Sequence, residues 1–301
     1  MQIFDLKTMQ QCEITENTVV ALGTFDGCHT GHMSVFRDAF LKAKALKLKS
    51  VVYTFSSLPK KDAGSILTLD EKIKHIKKSG IDFIAVDDFD SVKNLDGLSF
   101  VKELLMDKLK AKGACCGFNY RFGKNAAYTC DDLKEIFEKN GGSVEICREI
   151  VYCGTSVSSS LIRRLIKNGR VEEILPFSAP YSVYARVIEG KKLGRTIGIP
   201  TINQQIPKGK IAPKRGVYIT ECEIGEDVYP SITNVGTRPP VENDGQENME
   251  THIIGYDGTL YSSYVRVNFY KRVRDEVRFD ALDSLKEQIN KDIKEAINYF
   301  K

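Results

Sequence analysis

Val19-Val20-Ala21-Leu22-Gly23-Thr24-Phe25-Asp26-Gly27-Cys28-His29-Thr30-Gly31-His32 is the stretch from which the rest of the chain is read. Its first part is short, apolar and β-branched, the mark of a strand buried on both faces. Its second part is glycine-rich and opens into a helix-like pattern that runs from Gly31 to about Lys47. A strand that feeds a tight turn and then a helix offers backbone N–H groups and the positive end of a helix dipole, where an anion is received. His29 and His32 are three apart, so both imidazoles face one side of the first helical turn. Gly31 between them leaves room for a phosphate to approach the backbone. Two imidazoles at a helix start suit a transition state whose charge spreads over phosphate oxygens. A bare His-x-Gly-His reads equally well as a surface or metal-bridging pair. Its place after Gly-x-Phe-Asp-Gly, at a strand-to-helix junction, argues against that, and two of the chain's four histidines lie here.

Outward from this stretch the same alternation continues. SVVYTF (50–55), IDFIAVDDF (81–89), GACCGF (113–118) and SVEICREIV (143–151) read as strands. Between and after them, LDEKIKHIKKSG (69–80), LSFVKELLMDKLKA (98–111), DDLKEIFEKNGG (131–142) and residues 158–168 have helical patterns. Nearly continuous apolar strands alternating with helices predict a parallel, Rossmann-like sheet covered on both faces, with its ligand at the loops after the strand C-termini. The pattern changes around Pro176-Phe177-Ser178-Ala179-Pro180. YSVYARVI (181–188), GVYITECEI (216–224), VYPSITNVG, ETHIIGYDG and YSSYVRVNFYKRVR alternate, with Gly, Asp and Asn between them. That predicts an antiparallel sheet closing into a small β-barrel. Leu282, Leu285, Ile289, Ile293 and Ile297 predict one amphipathic C-terminal helix. The fold class is thus α/β plus β, with domains expected at 1–178 and 179–301.

The 301 residues are 42% hydrophobic and 28% charged, which excludes a disordered chain. Lys+Arg 44 against Asp+Glu 40 leaves a net charge of +4, too small to argue for nucleic acid. No apolar run approaches the ~18 residues of a membrane span, and the N-terminus lacks the features of a secretory signal. The eight cysteines include no Cys-x-x-Cys pair, so zinc-ribbon and thioredoxin readings fail. Adjacent Cys115 and Cys116 read as buried thiols, and a cytoplasmic location is expected.

A second constellation follows the first strand of the second half: Gly190-Lys191-Lys192-Leu193-Gly194-Arg195-Thr196-Ile197-Gly198-Ile199-Pro200-Thr201-Ile202-Asn203. A glycine-rich loop with Lys191, Lys192 and Arg195 can wrap a polyphosphate. Thr201 and Asn203 are two apart on an extended segment, so their oxygens point the same way. Hard oxygens of that kind suit Mg²⁺ shared with phosphate.

The first constellation resembles the nucleotidyltransferase superfamily marked by His-x-Gly-His. Ser158-Ser159-Ser160-Leu161-Ile162-Arg163 is similar to that superfamily's Ser-Ser-Thr-x-Ile-Arg, and Gly117-Phe118-Asn119-Tyr120-Arg121-Phe122-Gly123-Lys124 to its Gly-x-[Asp/Asn]-Phe-x-Phe-Gly loop. The latter lacks the spacing and hydroxyl of a P-loop. The second constellation closely resembles the riboflavin kinase signature. Asn234-Val235-Gly236-Thr237-Arg238-Pro239, Glu250-Thr251-His252, Tyr256-Asp257-Gly258-Thr259-Leu260-Tyr261 and Arg274-Asp275-Glu276 with Phe279-Asp280 follow the same pattern. Together the halves, from about residue 19 to 297, resemble the bifunctional bacterial riboflavin kinase/FMN adenylyltransferase (FAD synthetase) family.

That resemblance implies two ATP-dependent steps with Mg²⁺: riboflavin to FMN with release of ADP, and FMN to FAD with release of pyrophosphate. It implies Glu250 as the kinase's general base and Thr201 and Asn203 as metal holders. Gly190, Lys191, Leu193, Gly194, Arg195, Gly198 and Pro200 would bind the kinase's ATP, and Arg274, Glu276 and Phe279 would lie at the flavin. For the adenylyl step it implies His29 and His32 as catalytic groups, with Gly23, Phe25, Asp26, Gly31, Asn119, Ser158, Ser159, Ser160 and Arg163 around the nucleotide. The expected partners are small molecules, with neither nucleic acid nor membrane; self-association is left open. Two departures stand out. Thr54-Phe55-Ser56-Ser57-Leu58-Pro59-Lys60-Lys61 stands where the family often has Thr-Phe-Asp-Pro-His-Pro, and Arg238-Pro239-Pro240 replaces Arg-Pro-Thr. Alternatives are a single-activity enzyme (a kinase with a weakened adenylyl half) and a flavin-binding regulator without chemistry.

Overall fold

The computed structural model describes residues 1–7, 14–57, 64–190, 194, 198–237, 247–277, 279 and 281–301. The expectations for Lys191, Lys192, Leu193, Arg195, Arg238, Pro239, Pro240 and Asp280, and for residues 58–61, lie outside them. Contacts within the chain divide it into two compact units, Met1–Ser159 and Ser160–Lys301.

The first unit holds a parallel sheet of β1 (Gln2–Asp5), β2 (Thr18–Leu22), β3 (Lys49–Phe55), β4 (Phe83–Asp87), β5 (Ala111–Gly117) and, after the small hairpin β6 (Arg121–Phe122) and β7 (Tyr128–Thr129), β8 (Ser143–Cys147). Their spatial order is β1-β4-β3-β2-β5-β8. The chain steps outward from β2 through β3 to β4, then returns to lay β5 beside β2. The order therefore reverses between β2 and β5, and the crevice outside their C-terminal ends is the place where open α/β sheets bind ligands. Every residue of β2 is buried, as its unbroken apolar run predicts. Helix α1 (Thr30–Leu46) packs Val35, Phe36, Ala39 and Ala43 inward and covers β2, β3 and β5. A separate cluster joins Phe4, Val20, Leu22, Val51 and Tyr53 to Phe100, Leu105, Leu133 and Phe137. Both faces are thus covered. Helix α2 (Leu69–Lys77) starts with a capping box between Thr68 and Glu71.

Four details differ from the sequence pattern. Strand β4 stops at Asp87, because Asp88 caps the short helix α3 (Phe89–Val92). After α4 (Gly97–Ser99) the chain winds with i→i+5 bonds over Phe100–Lys108. That wider turn brings Phe100, Leu104, Leu105 and Leu109 all to the buried side. The predicted strand 143–151 ends at Cys147; Val151 belongs to a second hairpin, β9 (Val151–Tyr152) with β10 (Thr155–Ser156). Strand β1 was not anticipated, because an edge strand this short carries only Phe4 as a buried side chain. Helix α5 (Cys130–Lys139) falls where its periodicity puts it, and α6 (Ser159–Lys167) follows.

The second unit is a closed antiparallel barrel of β11 (Tyr181–Ile188), β12 (Ile202–Gln205), β13 (Gly216–Ile224), β14 (Asp227–Thr237), β15 (Glu247–Ile253) and β16 (Tyr264–Arg274), in the order β11-β12-β15-β14-β13-β16. Thr220, Ser231, Thr233 and Thr251 fill part of its interior and satisfy one another: Thr220 bonds Ser231 and Thr233 at 2.8 Å, and Thr233 bonds Thr251 at 2.9 Å. The opposite face of β13 and β14 presents Val217, Ile219 and Ile232, which pack with Ala296 of the C-terminal helix α7 (Leu282–Tyr299). The expected Leu/Ile stripe is not the deepest part of α7. Leu282 is exposed, while Asp292 and Ala296 are buried. The reason is an ion pair: Asp292 binds Arg274 of β16, with Arg274 Nη2 at 2.7 Å.

Candidate active sites

The turn after β2 is strained and heavily braced. Phe25 and Cys28 have φ of 51° and 42°, a region bulky side chains avoid. Such conformations cost about 1–3 kcal/mol each and persist only where the surroundings over-determine them. Here they are. Thr24 C=O accepts from Thr54 Oγ1 at 3.0 Å and from Lys72 Nζ at 2.9 Å. The buried Asp26 carboxylate accepts from Ile66 N–H at 2.9 Å and Leu67 N–H at 3.2 Å. Cys28 Sγ donates to Phe25 C=O, and Ser159 Oγ to Asp26 C=O at 2.5 Å. Gly23 is required where it stands, since a Cβ would come 2.8 Å from the Phe25 ring.

The turn delivers both histidines to one spot. Their rings stack with centroids 3.7 Å apart and a 24° interplanar angle, and the Phe25 ring meets His32 edge-on at 5.4 Å. His29 is the N-cap of α1, yet its side chain caps nothing, and the first turn carries no acid. Neither the cap side chain nor an acid of the first turn therefore occupies the positive end of the helix. His29 is buried, with Nδ1 lacking a hydrogen-bond partner. Burial pushes its pKa down to about 4, so at neutral pH it is an uncharged imidazole. Burial likewise pushes the Cys28 thiol up to about 12, which removes it as a nucleophile. Asn119 is exposed in the loop after β5, and a Cβ at Gly117 would lie 3.6 Å from its Oδ1. Ser158 and Ser159 close the first unit; Ser160 and Arg163 follow along α6 in the second.

The second site is assembled by strand register. Asn203 of β12 pairs with Glu250 of β15, and Glu250 pairs with Asn234 of β14. Cross-strand partners share a face, so a carboxylate is flanked by two amides. A cleft on this face is lined by Thr201, Glu250, His252, Arg274, Glu276 and Phe279, with Leu285, Ile289 and Asp292 from α7. Leu285 and Ile289 are therefore only half-buried: they wall a cleft rather than fill a core. His252 Nδ1 lies 2.8 Å from Pro200 C=O. Asn234 Nδ2 donates to Glu276 Oε1 at 2.9 Å, and a side chain at Gly236 would overlap that carboxylate. Gly190 is pressed against the Asn203 side chain so closely that a Cβ would overlap it, and a Cβ at Gly194 would overlap Ile199 C=O, 3.5 Å from Thr201 Oγ1. Two glycines thus form a cradle around two neutral oxygens, with the Glu250 carboxylate beside them, a donor set that Mg²⁺ accepts.

Comparison with known proteins bears on both sites. A riboflavin kinase family model matches residues 177–300 and a FAD synthetase model residues 11–161. The bifunctional riboflavin kinase/FMN adenylyltransferase of Bacillus subtilis (strain 168) is 32% identical over 295 residues, covering 94% of this chain and 92% of the relative. The chain belongs to that family. The enzyme of the same name from Haemophilus influenzae is 30% identical, over 98% of this chain and 96% of its own. A solved structure described as a macrolide-efflux protein from Streptococcus pneumoniae superposes with a TM-score of 0.88 at 30% identity, covering 98% of this chain and 99% of that one. The efflux name is that protein's; among the described residues here, no helix is long and apolar enough to cross a membrane.

Membership of the riboflavin kinase/FMN adenylyltransferase family frames what the motifs did not announce. Lys72 and Thr54 brace the first site and Asp292 the second; Lys72 and Asp292 belong to no quoted motif, and Thr54 appears only as the first residue of the departing segment. Asp292 carried a faint signal, an acid one helical step after Ile289 inside an apolar stripe. Lys72 carried another, sharing the buried face of α2 with Ile76, four residues on.

Proposed function

We propose that the chain phosphorylates riboflavin to FMN with ATP in residues 179–301 and adenylylates FMN to FAD with a second ATP in residues 1–178. The observation that carries the kinase reading is the cross-strand row Asn203, Glu250, Asn234 beside a cleft closed by α7. A riboflavin kinase must deprotonate a primary alcohol while it attacks a γ-phosphate, and a carboxylate at the cleft edge accepts that proton. Thr201 and Asn203 would hold Mg²⁺, which neutralises phosphate charge when bound. Arg274 is immobilised by both Asp292 oxygens and by Asp275 C=O, so it presents a fixed face to the flavin. Phe279 and Ile289 supply the apolar wall of the same cleft.

The adenylyl half needs no base, because the FMN phosphate is already anionic. It must be held in line with the α-phosphate of ATP while charge is neutralised. The N–H groups at the start of α1 and the N–H donors of His29 and His32 serve that role. A phosphate lying against buried His29 would favour its protonated form and raise its pKa from about 4. A cytoplasmic setting is supported by the thiols: the cysteines among the described residues are all free, and all but Cys153 are buried. The test is incubation with riboflavin and Mg-ATP followed by chromatography. FAD is expected. FMN alone would overturn the adenylyl half of the reading, and unchanged riboflavin would overturn both halves.

A further inference from the structure

Lys72 is a buried lysine, 4% exposed, on α2 beneath the turn that carries the histidines. Its three N–H donors have three acceptors: Thr24 C=O at 2.9 Å, Phe55 C=O at 2.9 Å and Thr54 Oγ1 at 3.3 Å. Thr54 Oγ1 in turn donates to the same Thr24 C=O. An ammonium with every proton engaged has none to offer a substrate. It acts instead on the two backbone segments it joins, the turn after β2 and the end of β3. The acid that balances its charge is Asp26, whose carboxylate is itself fixed by Ile66 and Leu67 N–H. Lysine and aspartate thus hold the turn at residue 24 and residue 26, on either side of the strained Phe25.

A neutral, apolar strut of the same length would take the Lys72 donor from the Phe55 carbonyl and leave Thr24 C=O with Thr54 Oγ1 alone. Burial pulls the lysine's pKa down while Asp26 pulls it up.

We propose that Lys72 is a positioning residue for adenylyl transfer: it clamps the Thr24 carbonyl to the end of β3 and so holds the strained turn that places His29 and His32. The inference rests on the adenylyl-transfer reading of this turn. A residue that aligns transition-state groups alters turnover more than substrate affinity.

The test uses the full chain and two near-isosteric variants, Lys72→Met and Thr54→Val. FAD formation from FMN and ATP is measured as kcat and KM for ATP, with riboflavin phosphorylation by the same preparations as an internal yardstick. Lys72→Met should lower adenylyl kcat about 30-fold or more, leave KM for ATP within about threefold, and leave phosphorylation within about twofold. Thr54→Val, which keeps the charge, should lower adenylyl kcat about three- to tenfold. Undiminished adenylyl kcat in Lys72→Met, or a rise in KM alone, overturns the inference. If Lys72→Met does not fold, Thr54→Val decides, and an unchanged adenylyl kcat there overturns it. A wild-type chain that makes FMN but no FAD overturns the reading of the site, and the inference falls with it.

Discussion

Gly31 shows how closely the first turn of α1 is fitted. A Cβ there would lie 3.1 Å from His29 Cε1 and 3.2 Å from Nδ1, so the ring would have to shift by a few tenths of an ångström. Alanine also gains up to about 1 kcal/mol of helix propensity over glycine. The two effects oppose each other in stability but not in catalysis. Gly31→Ala should unfold within about 1 kcal/mol of wild type in denaturant while FAD formation from FMN falls about tenfold or more, because small displacements of catalytic groups are costly. Equal rates would show that His29 need not sit where it does. His29 carries a second consequence. Its folded pKa of about 4 lies below the ordinary 6.5, so between these values the unfolded chain binds a proton that the folded chain does not. Stability therefore rises with pH through this window and is lost as pH falls from 6.5 toward 4. The shift corresponds to roughly 3 kcal/mol at the acid end. His29→Gln should flatten that part of the pH–stability curve in denaturant melts, and a curve as steep as wild type would assign the loss to other groups.

Elements are held at their ends by single residues. Helix α1 stops at Lys47, which adopts φ 56° and ψ 39° and donates its N–H to Ala43 and Lys44 carbonyls, while Leu48 N–H closes on Ala43 C=O. This is a left-handed C-terminal cap occupied by a residue with a Cβ, where glycine has no steric penalty. Lys47→Gly should stabilise the chain by about 0.5–1 kcal/mol without altering either activity; a loss of stability would show that the lysine side chain contributes more than its backbone strain costs. Helix α7 is tied by a different device. Asp292, 2% exposed, accepts from Arg274 and from Gln288 Nε2 at 2.9 Å. Arg274 keeps about a fifth of its side chain accessible and can rehydrate in part. Removing the acid should then cost less than the 3–5 kcal/mol of a fully buried pair, about 2 kcal/mol. Asp292→Ala should show that loss in a melt, together with a drop in riboflavin phosphorylation and unchanged FAD formation from FMN. A parallel drop in both activities would mean that α7 supports more than its own barrel.

At the scale of the molecule, what could be read from the sequence was what depends on local pattern. Strands β2 and β3 declare themselves by unbroken apolar runs, and His29 and His32 by their spacing after a glycine turn. Glu250, Thr201 and Asn203 become interpretable through the motif around them, although only barrel register sets Glu250 beside Asn203. Long-range polar contacts were not legible. Nothing in LDEKIKHIKKSG distinguishes buried Lys72 from Lys74, Lys77 or Lys78 except its spacing to Ile76, and the Arg274–Asp292 pair joins residues that no helical period relates. The proposed roles draw on separate residues and separate chemistry, a carboxylate for an alcohol nucleophile and imidazoles for a phosphate nucleophile, and this predicts complementation. Glu250→Gln should lose riboflavin phosphorylation by about 100-fold or more yet still convert supplied FMN to FAD. His29→Ala should phosphorylate riboflavin normally and accumulate FMN. Neither alone makes FAD from riboflavin at the wild-type rate. Mixed in one solution with Mg-ATP, FMN released by the second variant can be taken up by the first, so chromatography should show FAD forming after a lag that shortens as protein concentration rises. FAD absent from the mixture, with each variant retaining its own remaining activity, would mean that FMN does not leave the chain that makes it.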